Sequence, residues 1–381
     1  MLFKKLISMK RLNINGGLMN TLDINKRIVD RSDCFYWQTD RKISEEETAE
    51  IWRDRHSNIE NEDLLNIVNN SLVTNKLKLI YPLDLNAQTS FGNINSIRVG
   101  VLDNGQEVVI RCHPRGVKNG YFHVESLAAD IAIKNGIPSY KTYLIHDLDS
   151  DNDISLQVIE KMKGDTISLL VKDKPELEDK IVYNMGVVLA KINQIEVDGF
   201  GPFDNNEAKK GKLIGLHRNL RDSVLAGLGE NLERLVKYKL ISQSRANRIK
   251  QLFTNNPLLN ESKSVLIHND LAYWNALSDG ENITAVLDWD ECVGGTAVQE
   301  LACWSLFFSP DKVSKVLEGY FSIHPKIENF DDKFKLLQLR YTISKMALRL
   351  KRSSYDKSDF LISLINNGKK HLMNLLNIYG I

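Results

Sequence analysis

The sequence predicts an α+β protein of two lobes, a small antiparallel sheet carrying one helix and then a larger, mainly helical half. Three observations predict it. Two β-rich runs, SIRVGVL (96–102) and EVVIRC (107–112), flank Asp103-Asn104-Gly105, which is a hairpin signal. A helical pattern follows at about 122–135, closed by Gly136 and Pro138, before two further strand-like runs at 139–148 and 154–162. Beyond residue 163 most segments carry apolar residues at helical period. The expected division is a helical N-terminal extension over 1–76, a sheet-based N-lobe over 77–162 and a helical C-lobe over 163–381.

In the extension, Ser44-Glu45-Glu46-Glu47 has capping-box spacing, and Leu64, Leu65, Val68 and Leu72 share one face of a helix at about 62–72. Three roles stay open for this arm: packing on a lobe, covering an acceptor site, or supporting a dimer. Cys34-Phe35-Tyr36-Trp37 reads as an aromatic anchor within it. In the C-lobe, MGVVLAKINQI (185–195), ELACWSLFF (300–308) and the segments after about 331 read as helices. Only 264–290 breaks that pattern, with two short apolar runs, Val265–Ile267 and Ala285–Leu287, around a turn at Asp279-Gly280. DSDNDISLQVIE (149–160) matches a calcium loop at four positions, but Ile154 stands where the sharp turn needs glycine. It reads instead as an acidic hairpin turn.

Bulk properties exclude several classes. The 381 residues are 43% hydrophobic and 26% charged, with a net charge of +1, so no global field points to nucleic acid or a membrane. Cys34, Cys112, Cys292 and Cys303 show no metal-ligand spacing and are expected to be packing residues in a reducing cytoplasm. No run approaches a membrane span, and MLFKKLISMKRLNINGG does not read as a signal peptide.

The chemistry is expected at His268-x-Asp270-x4-Asn275, with Asp288 thirteen residues further on. Two carboxylates and an amide oxygen facing one pocket suit Mg2+ that also holds substrate phosphates. A carboxylate beside such a metal can orient a hydroxyl and take its proton. The five-residue step from Asp270 to Asn275 equals that of the kinase catalytic loop, and Asp288 falls where the later metal-binding aspartate would. A kinase also needs a strand cation for phosphates and a helix carboxylate to hold it; Arg111 and Glu125 fill these positions. Small polar residues and turn amides at Ser90, Phe91, Gly92 and Asn93 are the expected phosphate loop. His268 is expected to shape the catalytic loop, and Tyr273 and Trp274 to pack it.

These residues carry a resemblance. IHNDLAYWNAL and AVLDWDE resemble the loops of the aminoglycoside phosphotransferase and choline kinase-like family, a branch of the protein-kinase-like superfamily. VVIRCHPRG is similar to the third strand of members that use arginine, and LQVIEKMKG to the last N-lobe strand and hinge. The similarity covers about residues 77–310. It implies a protein-kinase-like fold, Asp270 as catalytic base or hydroxyl-orienting group, Asn275 and Asp288 on Mg2+, and Arg111, paired with Glu125, on the phosphates of ATP or GTP. It further implies that backbone groups of Glu160, Lys161 and Met162 meet the purine. Asn269 and Tyr273 depart from the family's usual glycine and proline.

The expected activity is transfer of a γ-phosphoryl group to a hydroxyl of a small acceptor, an antibiotic among the candidates. The alternative is a catalytically silent nucleotide-binding module. A protein kinase is disfavoured, because Glu300 and a helix follow Asp288 too soon for a peptide-docking segment. Residues 331–381 hold ten Lys/Arg against four Asp/Glu, which speaks mildly against a polycationic acceptor there.

Overall fold

Five antiparallel strands build the first sheet: β1 (Leu77–Pro82), β2 (Ser96–Leu102), β3 (Glu107–Cys112), β4 (Thr142–His146) and β5 (Leu156–Glu160), in the order β1-β2-β3-β5-β4. The structure, a computed structural model, describes residues 44–57, 59–72, 74–82, 95–115, 117, 121–147 and 154–381. The expected phosphate loop, Ser90 to Asn93, the aromatic anchor at 34–37 and the acidic turn at 149–153 lie outside the described residues. The β2–β3 hairpin closes through Gly105, whose φ of 83° suits a residue without a Cβ.

Strand alternation decides what each face of β3 does. Val108, Ile110 and Cys112 point to one side and are buried with Leu156 and Val158 of β5. Each such side chain contributes roughly 1.5–3 kcal/mol on burial. That side is covered by helix α2 (Asn61–Ser71), through Leu64 and Val68, so this part of the extension packs on the sheet. Before it, α1 (Glu45–Asp54) starts at Ser44, whose hydroxyl accepts from the Glu47 amide. Trp52 of α1 meets Tyr355, with ring centroids 6.0 Å apart. Val109 and Arg111 take the opposite side of β3, toward α3 (Phe122–Lys134) and the second lobe.

The second lobe is mainly helical. Its helices are α4 (Ile167–Asp173), α5 (Glu178–Ile192), α6 (Asn205–Ala208), α7 (Leu220–Leu225), α8 (Leu228–Lys237), α9 (Gln243–Thr254), α10 (Ala297–Trp304), α11 (Pro310–Phe321), α12 (Phe330–Arg352) and α13 (Asp359–Ile378). Helices α5 and α11 cross with glycines at the contact. A Cβ at Gly186 would overlap the Val316 carbonyl, and one at Gly319 the Tyr183 carbonyl.

Short strands complete this lobe: β6 (Asp165–Thr166), β7 (Glu196–Val197), β8 (Phe200–Phe203), β9 (Gly215–His217), β10 (Ser264–Ile267), β11 (Ala276–Ser278), β12 (Ile283–Val286) and β13 (Val293–Gly295). They form two sheets, β7-β10-β13-β8-β9 and β12-β11-β6. Here the sequence expectation needs correction. The turn at Asp279-Gly280 joins β11 to β12, whereas Val265–Ile267 lies in β10 and pairs with β13. Residues 268–275 carry the chain out of one sheet and into the other, and Ala276–Ser278 takes the pairing that had been expected for 265–267.

The lobes are tied beside the second sheet. The Val286 amide donates to the Pro138 carbonyl at 2.8 Å, and the Ser139 hydroxyl donates to the Val286 carbonyl at 2.8 Å. Trp289, fully buried, donates its indole N–H to the Ser139 Oγ at 3.0 Å. Tyr121 donates its hydroxyl to the Cys292 carbonyl at 2.9 Å.

Candidate active site

Arg111 is the centre of the N-lobe half. Its guanidinium donates from Nη1 to Glu125 at 2.6 Å and from Nη2 to Asp288 at 2.7 Å. Arg111 and Glu125 are buried, whereas the Asp288 side chain is 35% exposed and reaches solvent. Burial works against the arginine charge, but Asp288 and Glu125 outweigh it and hold the guanidinium protonated. Burial pushes the Glu125 carboxyl above the usual range, and Arg111 pulls it back. Gln157 adds a hydrogen bond to the same Glu125 Oε2 at 3.0 Å. It can do so because β3 and β5 pair Arg111 directly with Gln157.

The C-lobe half is a loop between β10 and β11. Asn275 spends both amide hydrogens on Asp270, donating to its carbonyl at 2.8 Å and to its Oδ2 at 2.9 Å. That leaves the Asn275 Oδ1 and the second Asp270 oxygen, Oδ1, for other partners. Burial, together with Glu291, Asp290 and Asp288, pushes the Asp270 carboxyl up to about 8, against the pull of Lys345. Asp288 sits at φ 61°, just past β12.

His268 holds the two segments together. Its Nδ1 accepts from the Asp270 amide at 3.3 Å, and its Nε2 lies 2.9 Å from the Leu287 carbonyl. A carbonyl only accepts, so the proton is assigned to Nε2 and the ring is neutral. Burial drives its pKa down to about 4, consistent with that state. The ring also packs on Trp289 at 4.7 Å.

Beneath the loop lies Glu300, which the sequence marks only as part of a helix that follows Asp288 too soon for a peptide-docking segment. Glu300 of α10 accepts from the His268 amide at 2.5 Å and the Asn269 amide at 2.9 Å. Burial lifts its pKa to about 7, against hydrogen bonds from these two amides and from Asn193. Asn269 adopts φ 66°, a left-handed conformation that asparagine tolerates better than most residues. A capping box between Thr296 and Gln299 starts α10 and so sets where Glu300 points. Tyr273 and Trp274 pack on Phe308 and Phe307 at 4.5 and 5.6 Å, as expected of loop-packing residues. Tyr273 also donates to Glu178 at 2.9 Å.

The expected residues are thus largely gathered. Arg111, Glu125 and Asp288 form one bonded group, and Asp270 and Asn275 another. Glu160 ends β5, and Lys161 pairs with Glu107 at 2.8 Å. No group of three or more His, Cys, Asp or Glu suited to a metal occurs among the described residues. A hard cation such as Mg2+ takes oxygen ligands and is commonly held by one or two carboxylates, waters and substrate phosphates. The free Asn275 Oδ1 and the exposed Asp288 fit such a donor set. Gln157 and Glu300 are the functional neighbours the sequence did not disclose. Among the described residues, no helix is long and apolar enough to cross a membrane.

Comparison with known proteins gives the family and the fold. Residues 90–323, more than half of the chain, match the model of a phosphotransferase enzyme family. No curated protein matches the chain. Among solved structures, a thermostable aminoglycoside phosphotransferase APH(4)-Ia variant in ternary complex with ADP and hygromycin B is 16% identical. The match covers 81% of this chain and 97% of that one, with a TM-score of 0.55. The complex of streptomycin and ATP with APH(2")-IIa gives 17%, 83%, 97% and 0.50 in the same terms. A protein assigned provisionally as a fructosamine-3-kinase, from Thermobifida fusca YX-ER1, gives 16%, 81%, 98% and 0.52. At these identities the structures establish a shared fold, that of the protein-kinase-like phosphotransferases.

Proposed function

Because the chain belongs to the phosphotransferase enzyme family, we propose that it transfers the γ-phosphoryl group of ATP or GTP to a hydroxyl of a small acceptor. The observation that carries this reading is the arginine bridge, with Arg111 bonded at once to Glu125 and Asp288. The bridge aligns an N-lobe phosphate-binding cation with a C-lobe carboxylate. We assign the N-lobe to residues 77–162, the C-lobe to 163–381 and the extension to 1–76 on the same ground.

Each residue then has a role. Asp270, through its Oδ1, orients the acceptor hydroxyl and takes its proton as that oxygen attacks the γ-phosphorus. The new O–P bond forms as the bond to the β,γ-bridging oxygen breaks, and the nucleoside diphosphate leaves with that electron pair. Asn275 orients Asp270 and, with Asp288, would hold Mg2+, which supplies positive charge to the phosphates when bound. Arg111 holds the nucleotide phosphates with its remaining N–H groups. Backbone amides at 160–162 meet the purine, and Ser90 to Asn93 cover the phosphates. Most of the rate enhancement comes from this positioning and charge complementarity.

The test combines binding and turnover. Mg-ATP or Mg-GTP should raise the melting temperature, since a ligand that binds only the folded state stabilises it. Acceptor-dependent nucleoside diphosphate release should fall by about 10²–10⁴ in Asp270→Ala, with nucleotide binding retained. Undiminished turnover in Asp270→Ala would refute the assigned base. Binding without turnover for every hydroxyl compound tried would favour the silent module.

A further inference from the structure

The electrostatic surroundings of Asp270 include a lysine that the reaction described above does not use. Lys345 lies midway along α12, is half-buried, and holds its ammonium 4.7 Å from the centre of the Phe307 ring. Phe307 packs edge-on against Trp274, which sits between Asp270 and Asn275 in the loop. Next to it, the Cys303 thiol of α10 donates to the Asn269 carbonyl at 3.0 Å. Helix α12 therefore brings a cation to the wall of the loop that carries the base.

Its pairing sets Lys345 apart. Lys312 and Lys333, also half-buried lysines of this lobe, are both neutralised, Lys312 by Glu178 and Asp179 at 2.8 Å and Lys333 by Glu261 at 2.5 Å. Lys345 has an aromatic face and, among the described residues, no ion pair or hydrogen bond. An aromatic ring compensates a sheltered ammonium only in part. Its charge is nonetheless felt at the reacting centre, where it opposes the repulsion of Asp288, Asp290 and Glu291 on Asp270.

We propose that Lys345 receives an anionic group of the acceptor, a carboxylate or a phosphate ester, so that the substrate is an anionic alcohol and not a polycationic aminoglycoside. This rests on the phosphotransferase reading. A charge-assisted hydrogen bond from the ammonium would anchor the anionic end, while the aromatic wall of Trp274 and Phe307 excludes water beside the hydroxyl presented to Asp270. The basic excess of residues 331–381 adds a favourable field for such a ligand.

The experiment measures ATP consumption by the full chain with matched acceptors: glycerate against glycerol, gluconate against sorbitol, ribose 5-phosphate against ribose, and kanamycin. The carboxylate and phosphate arms separate the two anion sources. The expected result is a preference of ~10-fold or more in kcat/KM for an anionic member over its neutral partner. Lys345→Met, which keeps the packing stem, should erase that preference through KM, and Lys345→Arg should restore most of it. Preference for kanamycin or a neutral member, an unchanged preference in Lys345→Met, or silence of every anionic member overturns the proposal. So does an equal fall in kcat for all acceptors, which would put Lys345 on the transferring phosphoryl group instead. Absence of Mg-ATP binding by calorimetry in the unmodified protein would overturn the phosphotransferase reading itself.

Discussion

The two halves of the site each rest on a buried glutamate, and they use it differently. In the N-lobe, Glu125 meets a cation, Arg111, whose other arm reaches Asp288. In the C-lobe, Glu300 meets the backbone, accepting from two successive amides of the loop that carries Asp270. The first carboxylate positions a side chain, and the second positions the chain itself. The consequences of losing them differ accordingly. Without Glu125 a buried charge is stranded; without Glu300 two buried donors are.

The largest expected effect follows from that contrast. Glu125→Ala should cost about 3–5 kcal/mol in denaturant unfolding, because Arg111 keeps its charge and loses its buried partner. Added Mg-nucleotide should recover part of the loss by giving the guanidinium phosphate oxygens instead. If Glu125→Ala unfolds at the parent's midpoint, the ion pair is not what holds Arg111.

The Glu300 side of the comparison predicts a pH dependence. Its folded pKa of about 7 lies above the ordinary value of 4.5. Between these values the folded state binds more protons than the unfolded one, so this contribution is complete below about pH 4.5 and is lost as pH rises through 7. The change is on the order of 3 kcal/mol. Urea midpoints from pH 5 to 7.5 should show the parent losing stability relative to Glu300→Gln, which cannot ionise. Parallel curves for the two proteins would remove Glu300 as the titrating group.

Measured at pH 7 alone, Glu300→Gln is expected to cost about 1–3 kcal/mol, since its amide nitrogen faces one of the two loop N–H groups. Its kcat should fall while the KM for nucleotide stays near the parent's, whereas Arg111→Lys should mainly raise that KM. The reverse pattern would mean that the halves are not separable in this way. The smallest effect is assigned to the tie between the lobes. Ser139→Ala removes the hydroxyl that links Val286 and Trp289 and should cost about 1 kcal/mol, read as a shift in melting temperature.

Much of this site was legible in the chain. Asp270, Asn275 and Asp288 lie within nineteen residues, so local spacing brought them to notice together. Arg111 and Glu125 are separated by one turn and a strand-to-helix connection, which strand alternation and helix phase can bridge. Gln157 was not legible, because it meets Glu125 only through the pairing of β3 with β5, strands separated in sequence by α3 and β4. Lys345 was visible only as one basic residue among ten. Its place over Phe307 depends on how α12 packs under α10, and a helix face by itself does not name its neighbour.

By itself, the sequence determined the order of the elements, the two kinds of lobe and the residues with the right chemistry. Those follow from periodicity, turn residues and spacing, which act over a few positions along the chain. Only the tertiary structure decided that Arg111 spans from Glu125 to Asp288, that 265–267 pairs with β13, and that Glu300 and His268 fix the loop. These contacts join residues from 14 to 177 positions apart. Their partners are chosen by which surfaces pack and which buried polar groups must be satisfied, and neither is written in any local pattern.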